Sequence, residues 1–113
     1  HDYVSIAVEF DDGQDITYFW SATLPEGTIF RCPLPVWRDV ESHVVVRSGS
    51  RELGRWLTEE RNLFADYQRI VRGPAREVVR IWLIGESLMQ RGHGRCEYAS
   101  IRLETNEGTL EVL

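Results

Sequence analysis

Trp20, Arg47, Trp56 and Glu60 are the side-chain types that hold a sugar or another small polar molecule. Flat indole rings stack on the apolar face of a sugar, while a guanidinium fork and a carboxylate hydrogen-bond its hydroxyl groups. Core packing is the ordinary use of a strand tryptophan. Trp82, inside the apolar run Val78 to Ile84, is assigned to the core for that reason. Trp20 and Trp56 have polar neighbours on their own side of the chain and are the candidates for a binding wall. Arg47, entering a turn after Val44-Val45-Val46, can reach that wall, and Glu60 shares a face with Trp56 and Thr58.

The competing chemistry is glycan hydrolysis, which needs two carboxyl groups about 5 to 10 Å apart across one cleft. Glu9, Glu59, Glu60 and Glu86 are the acids available for it. Glu59 and Glu60 are adjacent, so on a regular strand they point to opposite faces. With Arg55 and Arg61 they read more simply as cross-strand ion pairs. Ser48-Gly49-Ser50 near His43 lacks the strand-to-helix elbow of a serine nucleophile, and a turn between strands accounts for it. No catalytic residue is assigned.

His1, His43 and His93 stand apart from any second His, Cys or carboxylate at a recognised ligand spacing, so no metal is expected. Cys32 and Cys96 are too distant for a C-x-x-C motif and are expected as two free, buried thiols, not a disulfide. All 13 basic residues are Arg, which excludes lysine Schiff-base chemistry. No cofactor is expected. Thirteen basic against 18 acidic residues, with an isoelectric point near 5.2, argue against a nucleic-acid partner. No apolar run approaches the ~18 residues that span a bilayer, so no membrane role is expected. No charged-then-apolar leader opens the sequence at His1-Asp2, so a signal peptide is expected to be absent or already removed.

The elements that must position these residues follow from periodicity. With 113 residues, 42% of them hydrophobic and 27% charged, one folded domain over 1–113 is expected, without a metal or disulfide framework. Tyr3 to Phe10 and Ile16 to Leu24 alternate as strands around the polar turn Asp11 to Asp15, which predicts a hairpin. Pro33 and Pro35 make Ile29 to Val40 an irregular crossing or short edge strand. Ser42 to Ser48 and Leu53 to Arg61 read as strands. Leu63, Phe64, Tyr67, Ile70 and Val71 recur at helical spacing after the N-cap Asn62, and Gly73-Pro74 ends that helix. Asp66 and Arg69 are expected to be solvated, with Tyr67 closing the helix onto the sheet.

Val78 to Ile84 reads as a central strand covered on both faces. A glycine-rich loop from Gly85 to Gly94 and strands at Cys96 to Glu104 and Thr109 to Leu113 complete the chain. The expected fold is mainly β: an antiparallel β-sandwich or strongly curled sheet of about seven strands with one helix. Strands without intervening crossover helices argue against a parallel sheet.

Tyr18-Phe19-Trp20-Ser21, then Val45-Val46-Arg47-Ser48-Gly49, then Leu53-Gly54-Arg55-Trp56-Leu57-Thr58-Glu59-Glu60-Arg61-Asn62, then Asp66-Tyr67, is similar in content and order to the bacterial family DUF3047, which has no assigned function. The likeness runs from about Asp2 to Leu103. It implies a β-sandwich of the kind many carbohydrate-binding modules use, an inference from architecture alone. Members of the family are longer and carry further strands before the position matching Tyr3, so the resemblance is to the later part of the domain. A sheet without its first strands exposes unpaired backbone and apolar face. A homo-oligomer, most simply a two-fold dimer, is therefore expected.

Three readings of function follow. The first is a non-enzymatic module binding a small polar ligand or glycan at Trp20, Arg47, Trp56 and Glu60. The second is an oligomeric structural or interaction protein whose aromatic face is the interface. The third is a glycan hydrolase with paired carboxylates.

Overall fold

A computed structural model describes residues 3–86 and 95–113 of the chain. Seven strands in two sheets and one helix make up the described residues, so the fold is mainly β as expected. His1, His93 and the glycine-rich turn at 87–94 lie outside them.

Strands β1 (Tyr3–Phe10) and β2 (Asp15–Ser21) form the predicted hairpin, with Val8 opposite Ile16 and Ile6 opposite Tyr18. Gly13 holds φ at +84° in the connecting turn, a conformation that excludes most other residues. Strand β5 (Val78–Glu86) pairs antiparallel with the other edge of β1. Strand β4 (Glu41–Ser48) lies against β2 but runs parallel to it, and the short β3 (Ile29–Arg31) pairs antiparallel with β4. The order is β3-β4-β2-β1-β5.

The large sheet is thus mixed, which corrects the expectation of purely antiparallel pairing. Parallel neighbours need a crossover of a dozen or more residues, usually helical. Here the segment 22–40 makes the crossing with three residues of strand and the Pro33–Val40 turns. Hydrogen bonds from Trp37 N and Arg38 N to Leu34 O, and from Val40 N and Glu41 N to Trp37 O, hold those turns.

Alternation gives the sheet two distinct faces. Val8, Phe10, Ile16, Tyr18 and Val44 project from one face and are buried against Tyr67 and Ala75, with Leu63, Ile70, Val71 and Val78 packed around them. Helix α1 (Leu63–Ile70) supplies Tyr67 from the predicted stripe, and Asn62 caps it by accepting a hydrogen bond from Ala65 N (3.0 Å). Eight residues are too few to stay helical alone, so this packing holds the helix. The Tyr67 hydroxyl donates to Asp12 and accepts from Ala75 N (2.9 Å), fastening α1 to the β1–β2 turn. Its expected role as the clasp between helix and sheet is met.

Several expectations are corrected. Leu53 to Arg61 is a stretch of turns and open chain, because no strand among the described residues stands beside it to complete a ladder. Asp66 is buried, 7% exposed, not solvated. It accepts hydrogen bonds from Tyr18 Oη (2.7 Å) and from the Arg61 guanidinium (2.9 and 3.0 Å), and Arg61 also lies over the Tyr18 ring. The β5 strand lies at the edge of the sheet, not its centre, and Val79, Trp82 and Leu83 are 49%, 45% and 43% exposed. Within Cys96 to Glu104 only β6 (Arg102–Thr105) is strand, paired with β7 (Gly108–Glu111) as a separate hairpin. Both thiols are free, but only Cys32 is buried.

The face opposite α1 is also buried in its middle. Ser5, Ala7, Thr17, Phe19, His43 and Val45 point into it. Phe30 of β3 closes over this face, its ring 5.9 Å from Phe19 and 5.0 Å from His43. Tyr98 Oη donates to Ser5 O (3.1 Å), tying the chain before β6 to β1.

Candidate functional site

The carboxyl ends of the parallel pair β2 and β4 bring two of the sequence-predicted residues together. An extra residue in the β4 register after Phe19 sets Trp20 abreast of Arg47 and Ser21 abreast of Ser48. Such a bulge re-aims the side chains beyond it. Trp20 Nε1 donates to Gly49 O (2.8 Å), and Gly49 N donates to Ser21 O (2.9 Å). The Ser48-Gly49-Ser50 turn is pinned from both sides, with Gly49 at φ +78°. Trp20 is therefore half-buried and its N–H is engaged within the fold.

Arg47 holds the next loop. Its Nη1 donates to both carboxylate oxygens of Glu52 (3.1 and 3.2 Å) and its Nε donates to Glu59. Arg55 reaches Glu52 at 3.7 Å. Of the residues read as cross-strand ion pairs, Glu59, Arg55 and Arg61 are paired, but around a loop and with other partners: Glu59 with Arg47, Arg55 with Glu52, and Arg61 with Asp66. Trp56 stands between the two anchor points of the loop, 68% exposed. Glu60 is exposed and has no ion-pair partner among the described residues.

A shallow depression of about 340 Å³ opens beside this turn, lined by Glu26, Ser48, Gly49, Ser50, Arg51 and Glu52. Hydroxyl, guanidinium and carboxylate groups around an open depression can hydrogen-bond a polar molecule; Trp56 is exposed on the loop that follows but does not line the depression. Among the predicted residues, Trp20 and Arg47 do not line the depression but hold its turn and loop in place, through Gly49 O and through Glu52 and Glu59. Ser48, Ser50 and Arg51 line the depression and were not singled out as ligand contacts. Their signal was the Ser-Gly-Ser turn, which read only as a break between strands.

Paired carboxylates drawn from Glu9 are not brought to this place. Glu9 pairs in register with Asp15 at the opposite end of the sheet and lies near Arg80 (3.9 Å). Five residues of strand separate Asp15 from Trp20, about 17 Å at 3.4 Å per residue, well beyond a glycosidase spacing.

A second cluster lies at that opposite end, on the face away from α1. Asp15, Thr17, Glu41 and His43 share this face through the β2–β4 register, and Cys32 follows Phe30 onto it. Glu41 Oε1 accepts hydrogen bonds from Thr17 Oγ1 (3.0 Å) and lies 3.1 Å from His43 Nε2. Cys32 N donates to Glu41 O (3.0 Å). One donor atom from each of Cys32, Glu41 and His43 falls within 4.8 Å of the others, and all three residues are buried. Burial, then the neighbouring Glu41 charge, pushes Asp15 up to about 7, against the hydrogen bond from Thr17. Burial also opposes ionisation of Glu41, but hydrogen bonds from His43 and Thr17 outweigh it and hold that carboxyl below its usual value. Burial raises the Cys32 thiol.

Mixed five-stranded sheet, separate two-stranded hairpin and single helix together define a β-rich domain. Hydrogen bonds tie four runs of sequence together: Trp20 and Ser21 to Gly49, Arg47 to Glu59, and Tyr18 and Arg61 to Asp66. The chain belongs to the DUF3047 family, described as a protein of unknown function, whose model matches residues 1–102. Neither a curated protein nor a solved structure gives a significant match. No helix among the described residues is long and apolar enough to cross a membrane.

Proposed function

We propose that the protein is a non-enzymatic module, of β-sandwich or curled-sheet type, that binds a small polar ligand or glycan at the carboxyl ends of β2 and β4. Trp56 is the stacking surface, Trp20 and Arg47 form the supporting wall, and Glu60 lies at the rim. The observation that carries this reading is Trp56, 68% exposed on a loop that Arg47 fastens at Glu52 and Glu59. A ring presented on a loop already held in place loses little freedom when a ligand arrives, which favours binding. A panel of glycans and small polyols titrated against tryptophan fluorescence tests it. At least one should shift the emission, and Trp56→Ala should weaken that ligand about tenfold or more, the scale of an aromatic hot spot. Binding unchanged in Trp56→Ala, or no response across the panel, rejects the proposal. Glycan turnover lost in Glu60→Gln would transfer the site to a hydrolase.

A second reading, a homodimer acting as an interaction protein, is favoured by the edge strand β5. Its outer edge has no strand neighbour among the described residues, and Trp82 and Leu83 are exposed on its two faces. Two copies meeting edge to edge about a two-fold axis would pair that backbone and continue the sheet. The solution mass decides it.

A further inference from the structure

We propose that Cys32, Glu41 and His43 form a structural site for one divalent ion of the zinc class, on the face of the sheet opposite α1. The site is independent of the ligand-binding reading, since it lies at the Asp15–Glu41 end of the parallel pair and the depression lies at the Ser21–Ser48 end. Three observations carry it.

The first is the donor set. A thiolate, an imidazole and a carboxylate together suit zinc, and the sulfur and nitrogen ligands disfavour magnesium and calcium. Thiolate and carboxylate charges would neutralise the ion.

The second is the geometry. Bonds of about 2.0 to 2.3 Å around a tetrahedral zinc place neighbouring ligand atoms roughly 3.3 to 3.7 Å apart. Glu41 Oε1 and His43 Nε2 are 3.1 Å apart, and the donor atoms of all three residues lie within 4.8 Å of one another. Bringing them to ligand spacing takes at most about 1 Å, within reach of side-chain rotation. The backbone fixes the positions: Glu41 and His43 are two apart on one strand and share its face, while the Cys32–Glu41 backbone hydrogen bond holds the cysteine beside them.

The third is the surroundings. Thr17 donates to Glu41, the outer hydrogen bond that orients a ligating carboxylate. The rings of Phe19 and Phe30 stand against His43 and form an apolar wall. Without an ion, the same atoms make a hydrogen-bonded cluster centred on Glu41, which explains their burial but leaves the convergence of a thiol, an imidazole and a carboxylate unused. With the ion, the two ends of the 33–40 excursion are clamped together, and that excursion is part of the crossover that makes β4 parallel to β2. On binding, Cys32 exchanges its S–H bond for a sulfur–metal bond and releases one proton to solvent.

The decisive protein is Cys96→Ser, whose single thiol is Cys32. After stripping with EDTA it is titrated with cobalt(II), then with zinc(II) or magnesium(II) while its melting temperature is followed. The expected result is a thiolate-to-cobalt charge-transfer band saturating at one cobalt per chain, displacement of that band by zinc, and a melting temperature raised by zinc but not magnesium. His43→Gln should weaken cobalt binding at least tenfold. Absence of the band in folded Cys96→Ser, its persistence in Cys32→Ser, or an equal thermal shift with magnesium would overturn the proposal.

Discussion

Asp15 and Glu41 are neighbours in the parallel register, and their surroundings drive the two carboxyls in opposite directions. Asp15 is held up to about 7 from an ordinary 3.8 by burial and by Glu41. Between those values the folded protein keeps a proton on Asp15 that the unfolded chain has released. Stability should therefore fall as pH rises through that window and level off above it. Glu41 works in the other sense, its contribution being lost only as pH drops below its usual 4.5. Urea denaturation in EDTA at about pH 5 and about pH 8 reads the Asp15 effect, and Asp15→Asn should flatten the difference. A slope unchanged in that variant would assign it elsewhere. Asp66 is the other buried acid with a structural duty. Removing it in Asp66→Ala strands the Tyr18 hydroxyl and deprives Arg61 of a bidentate partner, a loss of about 2–3 kcal/mol in the same assay. The sequence reads Asp66 as solvated and misses its burial, because the partner on β2 is 48 residues away.

The helix is the element on which local sequence and structure agree most closely. Its apolar spacing, its Asn62 cap and its Gly73-Pro74 stop all fall between Asn62 and Pro74, so no distant partner is needed to read them. Its two ends should respond oppositely to substitution. Asn62→Ala removes the hydrogen bond to Ala65 N and should cost about 1 kcal/mol. Arg72 follows the helix with φ +59°, a conformation natural to glycine there, so Arg72→Gly should stabilise by about 0.5–1 kcal/mol. Thermal denaturation of the two variants checks both signs, and a destabilised Arg72→Gly would refute the second. Leu53 to Arg61 shows the opposite case. Its alternation resembles a strand, yet a strand exists only where a neighbour completes its ladder, and here ion pairs from Arg47 and Arg61 hold open chain instead.

At the scale of the molecule, β5 is where expectation and structure part furthest. An apolar run such as Val78 to Ile84 signals burial on both faces, but the run cannot say whether the burial comes from its own chain or from another. At the sheet edge, Val79, Trp82 and Leu83 remain exposed. The homodimer reading predicts about twice the mass of the 13.1 kDa chain by light scattering at micromolar concentration. Val79→Lys, placing charge on the edge strand, should return it to the mass of one chain. A wild-type mass of one chain rejects that reading and leaves the Trp56 site untouched.

By itself the sequence determined a mainly β chain with one capped helix, the β1–β2 hairpin, the Tyr67 clasp and membership of DUF3047, because each is written in short-range periodicity, turn residues or the order of motifs. Tertiary structure alone decided that β4 lies parallel to β2, that β5 is an edge, that Trp20 meets Arg47, and that Cys32 and Glu41 come to His43. The reason is common to all four. Each depends on which strand lies beside which and in what register, and pairing is settled by the packing of whole faces, which no single stretch of the chain contains.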